Sequence, residues 1–134
     1  DREGGRIQVF DGNGKFETEW TNVHRPSGLC MTFGACPLCY VGEIGPYMRV
    51  NREYPNIGPR VSILDNKGKV LARLGREVDA CGQEPGQFMS PHGIGVDSKG
   101  NIYVGEVVQS SWPSAFPDKP KPDRLKALQK LIKL

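Results

Sequence analysis

The chain has 134 residues, 37% of them hydrophobic and 25% charged, a balance that excludes a disordered chain and suits one folded domain. Its 17 glycines and 11 prolines leave little room for long helices, and without a run of about 18 apolar residues there is no transmembrane helix. The net charge of +3 is concentrated late, where Lys119, Lys121, Arg124, Lys126, Lys130 and Lys133 outweigh Asp118 and Asp123. No aromatic residue interleaves with these cations and the body is near neutral, so a solvated basic segment is expected rather than a nucleic-acid interface.

The first predicted element runs from Arg6 to Phe10, where Ile7 and Val9 share one face at the period of two that a strand requires. Asp11-Gly12-Asn13-Gly14-Lys15 then forms a tight turn into a second strand, Phe16 to Trp20. A hairpin follows, from Arg25-Pro26-Ser27-Gly28-Leu29-Cys30 through Phe33-Gly34-Ala35-Cys36-Pro37 to Cys39-Tyr40-Val41-Gly42-Glu43-Ile44. Residues 45–59, with Pro46, Pro55 and Pro59, read as a long connection within one repeat unit.

The pattern then returns. Arg60-Val61-Ser62-Ile63-Leu64-Asp65-Asn66-Lys67-Gly68-Lys69 echoes residues 6–15, with a second strand from Val70 to Leu74. Ser90-Pro91-His92-Gly93-Ile94-Gly95-Val96 echoes the segment at Pro26, and Ile102-Tyr103-Val104-Gly105-Glu106 echoes the segment at Tyr40. Between them lies the turn Asp97-Ser98-Lys99-Gly100-Asn101. Residues 109–124 form a second proline-rich loop. In the last ten residues Leu125, Leu128, Leu131 and Ile132 would suit an amphipathic helix, but 127–132 stands where the repeat calls for another strand, and a strand is expected.

Four strands with their connections span roughly 50 residues, the size of a propeller blade. The expected fold is therefore all-β, a partial β-propeller of about two to three four-stranded blades over residues 1–108, completed by the strand in 125–134. Closed propellers have about four to eight blades. The chain is thus expected to be a piece of a larger propeller or, failing that, to close a ring with further copies of itself. The first reading is favoured, because Arg6 begins in mid-repeat.

The run Pro91-His92-Gly93-Ile94-Gly95-Val96-Asp97-Ser98-Lys99-Gly100-Asn101-Ile102-Tyr103-Val104, together with Arg6-Ile7-Gln8-Val9-Phe10, resembles the NHL-repeat family over most of residues 1–107. Within it, the chain is similar to the C-terminal part of bacterial proteins of the peptidyl-α-hydroxyglycine α-amidating lyase kind. Such lyases are six-bladed propellers that split a peptidyl-hydroxyglycine using a zinc held by three histidines. Asp1-Arg2-Glu3-Gly4-Gly5-Arg6-Ile7-Gln8 matches the segment that carries a functional arginine there, and Ser90-Pro91-His92-Gly93 the segment with one zinc histidine. The resemblance implies Arg2 as a catalytic residue orienting an anionic group and His92 as a metal ligand. It also implies that two further histidines and a catalytic tyrosine lie upstream of Asp1. Gly93 stands where the lyases carry an acidic residue.

Other candidates come from the residues themselves. Glu43 and Glu106 each follow Tyr-Val-Gly at a strand end, where a carboxylate could face a central channel, and Tyr103 belongs to the same motif; all three are candidate binding residues. Their repetition in both units equally suits a structural role. His24 reads as an exposed loop histidine. Cys36 and Cys39 form a CxxC pair, but Cys30 and Cys81 do not form a second, so free or structural cysteines are expected before a disulfide or a metal site. No cofactor is firmly implied beyond zinc in a closed propeller. Two functions follow: a non-catalytic platform for a protein, peptide or glycan partner, expected first, and a zinc-dependent lyase-like enzyme.

Overall fold

The computed structural model describes residues 1–46 and 57–134. Most of the expected connection at 45–59 lies outside the described residues. Nine strands fall in three antiparallel sheets. The first sheet pairs β1 (Ile7–Phe10) with β2 (Phe16–Trp20). The second has β3 (Pro26–Met31), β4 (Leu38–Glu43), β5 (Arg60–Asp65) and β6 (Val70–Leu74), paired in chain order. The third has β7 (Pro91–Val96), β8 (Ile102–Glu106) and β9 (Leu128–Leu131). The chain is a partial β-propeller. It holds the outer two strands of one blade, one complete blade, and the inner three strands of another.

The final segment is the strand β9, because Leu128–Leu131 finds a partner edge in β8. A four-residue helix, α1 (Trp112–Ala115), falls inside the proline-rich loop, where no helix is expected from the sequence. It exists because Trp112 and Phe116 stack at 4.6 Å and bury Met89 and Val108 beneath them.

The turns show how closely the repeats agree. In Asp11, Asp65 and Asp97 alike, Oδ1 accepts the backbone N–H groups two and four residues on, at 2.8–2.9 Å. Each turn needs a left-handed residue at its fourth position, which Gly14, Gly68 and Gly100 supply with φ of 81–82°. Asn101 adds a side-chain bond to Asp97, and these hydrogen bonds hold its carboxyl down at about 2.

Packing between blades follows strand alternation. Ile7 and Val9 of β1 meet Cys39, Val41 and Leu64 of the second blade. The opposite face of that blade, with Tyr40, Val61 and Ile63, meets Ile102 and Val104 of the third. The blades converge at their first strands: a Cβ on Gly28 would stand 2.4 Å from the His92 carbonyl oxygen, and one on Gly42 2.7 Å from that of Pro91. Toward the outer strands they splay, leaving an apolar cleft of about 410 Å³ lined by Tyr40, Ile63, Leu74, Ile102 and Leu131. Glycine on the inside and large side chains outside are what a radial wedge requires.

Candidate functional site at the blade ends

The loops that enter β3 and β7, the residues before β1 and the loop between β8 and β9 gather at one end of the blades. Arg2, Glu43, His92 and Glu106 all belong to this end. Tyr103 does not: its hydroxyl donates to Asp97 at the opposite turn, 3.2 Å away, and the Lys130 ammonium lies 5.1 Å over its ring.

Glu43 ends β4 and is fully buried. Its Oε2 accepts the His24 backbone N–H at 2.7 Å and the Arg60 guanidinium at 2.7 and 3.0 Å, while Oε1 accepts the Ser62 hydroxyl. Glu106 ends β8 in the same way. Its Oε2 accepts the backbone N–H of Met89 at 2.6 Å and of Ser90 at 3.0 Å, and Oε1 accepts the Gln129 amide at 2.6 Å. Met89 and His24 each stand two residues before the proline that opens the first strand. Ser62 and Gln129 also correspond, facing Val41 and Val104 in register. One latch is thus built twice, a buried carboxylate tying the entry loop to the third strand. The second lacks an arginine, since the residue corresponding to Arg60 is Ala127, and burial pushes the Glu106 carboxyl up against the pull of its hydrogen bonds.

His92 occupies a bulge. Pro91 pairs with Glu106 and Gly93 with Gly105, so His92 is the extra residue between them, and Ser27 repeats this in the second blade. Bulges re-aim side chains out of a sheet; His92 is exposed and its ring makes no hydrogen bond among the described residues. Arg2 is half exposed, with Nε on Glu3 at 2.8 Å. Glu3 is also gripped by two nitrogens of Arg25, at 3.0 and 3.2 Å, which with Arg2 hold its carboxyl low. Arg25 itself is buried, has φ of 44° and donates to the Gly45 carbonyl at 2.8 Å. No hydrogen bond or ion pair joins any two of Arg2, Glu43, Tyr103, His92 and Glu106 among the described residues. Arg25, Arg60 and Gln129 are not foreseen from the sequence; Arg60 meets Glu43 through strand register, which no local pattern announces.

The chain has only two histidines. His24, expected to be exposed, is instead buried where its backbone is tied to Glu43, and that burial lowers its pKa. Among the described residues no three of His, Cys, Asp and Glu group to hold a metal ion. The described residues thus offer His92 as one exposed imidazole and do not by themselves complete a three-histidine zinc site. No disulfide joins any of the four cysteines; Cys36 is exposed, while Cys39 is buried and its thiol pushed up to about 11, so the CxxC pair does not face one site.

A family model described as a beta-propeller repeat matches residues 84–105, which span β7, the Asp97 turn and most of β8. No curated protein matches the chain. The three sheets and this match together define the class as a segment built of β-propeller repeats.

Proposed function

We propose that this segment, with blades of the NHL kind, is a binding platform whose blade-end loops receive a protein or peptide of acidic character. The observation that carries the reading is the paired latch. Glu43 and Glu106 spend their oxygens on the loops that enter β3 and β7, so the carboxylates pre-organise a surface instead of facing a substrate. The loop between β8 and β9 is held likewise, by Trp112 on Val108 and Met89 and by its Nε1 donating to the Lys119 carbonyl at 3.3 Å. This loop presents exposed Lys119, Lys121, Arg124 and Lys126, a field that attracts acidic partners. The NHL assignment rests on the sequence run from Pro91 to Val104. The lyase reading has no comparable support among the described residues, where Arg2 is engaged with Glu3 and His92 belongs to no group of metal-ligating side chains.

The test measures binding of acidic and basic peptide arrays to the purified chain at low and physiological salt. Saturable, salt-sensitive binding of acidic peptides is expected, falling about 10-fold or more when Lys119, Lys121 and Lys126 are all replaced by Glu. Equal binding of acidic and basic peptides, or no loss in the triple variant, would overturn the reading.

A further inference from the structure

Beside the first latch lies a pocket of about 290 Å³, lined by Arg60, Arg73, Arg76, Glu77 and the apolar side chains of Ile57 and Leu74. Its volume falls just below the range for whole small-molecule ligands, so it suits one chemical group. Arg60 brings positive charge already tied to Glu43. Arg73, on β6, anchors only Nη2, on the Asn22 carbonyl and side-chain oxygens at 3.2 and 2.8 Å. Arg76 donates only Nε, to the Pro85 carbonyl at 3.1 Å. The remaining guanidinium N–H groups of Arg73 and Arg76 have no hydrogen-bond partner among the described residues. Burial, and next the nearby charge of Arg60, lower the Arg73 pKa, while Glu43 opposes them.

We propose that this pocket is an oxyanion site that takes a phosphate group between Arg73 and Arg76. A carboxylate has two oxygens and is satisfied by one guanidinium fork. A tetrahedral dianion can accept from two forks at once, which is the arrangement that two half-used arginines offer. Glu77, the acidic residue of the described lining, makes no hydrogen bond or ion pair among the described residues, and it opposes anion binding. Latch and pocket serve different ends: Arg60 is committed to the fold, whereas Arg73 and Arg76 are anchored at one side and open at the other.

The experiment titrates inorganic phosphate into the chain at constant ionic strength, with sodium chloride and sodium acetate as parallel arms, and follows backbone amide resonances of residues 73–80. A saturable shift with phosphate, weaker with acetate and absent with chloride, is expected. Arg76→Gln should weaken it about 10-fold, Arg73→Gln should do the same, and Glu77→Gln should tighten it about 2- to 5-fold. Thermal melts of each variant show whether the fold is kept, and Arg76→Lys supplies a second reading if Arg73→Gln unfolds. Shifts that follow chloride equally, or that persist in Arg76→Gln and Arg76→Lys unchanged, would overturn the proposal. Because phosphate is the probe, failure here leaves the peptide-binding reading untouched.

Discussion

Glu43 and Glu106 occupy the same place in successive blades, yet they answer differently to the same substitution. Glu43 is paired with Arg60, itself mostly buried. Replacing Glu43 by Gln removes the charge that compensates a buried guanidinium, so a loss of about 3–5 kcal/mol is expected in chemical denaturation. Glu106 meets only neutral donors, two backbone amides and the Gln129 side chain. A glutamine there keeps one oxygen for the two amides and sheds the cost of burying a charge; its expected loss is under about 1.5 kcal/mol. The pH dependence separates them further. The folded pKa of Glu106 is raised, so above the ordinary carboxylate pKa of 4.5 the unfolded chain releases this proton before the folded one does. Its contribution to stability is fully present below 4.5 and is lost as pH rises through the raised value. Glu106→Gln should flatten that part of the stability–pH curve. Equal costs for both glutamine variants, with unchanged pH profiles, would contradict the two-latch account.

Between strands, the inner glycines make the sharper prediction. Gly28 and Gly42 pair across β3 and β4, and both lie against the backbone of β7. Ala at either would push a Cβ to within 2.4–2.7 Å of a carbonyl oxygen that cannot yield without moving a blade. About 1–3 kcal/mol of destabilisation is expected for each, visible as a lowered melting temperature. Gly93 and Gly105 are their counterparts in the third blade, and a Cβ there meets nothing closer than 3.8 Å. Their alanine variants should melt close to the parent chain. This regularity was legible from the sequence, because strand period, Asp-x-x-Gly turns and Pro-x-Gly entries are local patterns that recur. The latches were legible only as repeated glutamates. Their partners, Arg60 and Gln129, are joined to them through strand register over 17 and 23 residues, and no local pattern announces such a pair. The helix at Trp112 was hidden for a related reason: aromatic stacking over Val108 and Met89, not propensity, holds a turn of helix among prolines.

Across the whole molecule, each complete interface is a template for the next. The second blade presents Tyr40, Val61 and Ile63 to the third, and Val61 is fully buried there. In the third blade the matching positions are Tyr103, Leu128 and Lys130, and Leu128 is 69% exposed. The outer edge of β9 pairs with no strand among the described residues, whereas β5 at the matching position is covered by β6. An apolar face with an open strand edge invites association. Either a further blade or a second copy of the chain would bury Leu128 as Val61 is buried. The purified chain is therefore expected to self-associate with rising concentration in sedimentation experiments. Replacing Leu128 by Lys should shift it toward monomer without lowering its melting temperature, since this side chain contributes to no buried cluster. Mass that stays constant with concentration, or association that survives the variant, would mean that this face does not take the next blade. In that case the apolar cleft beside Leu74 and Leu131, where the outer strands splay, becomes the surface to test.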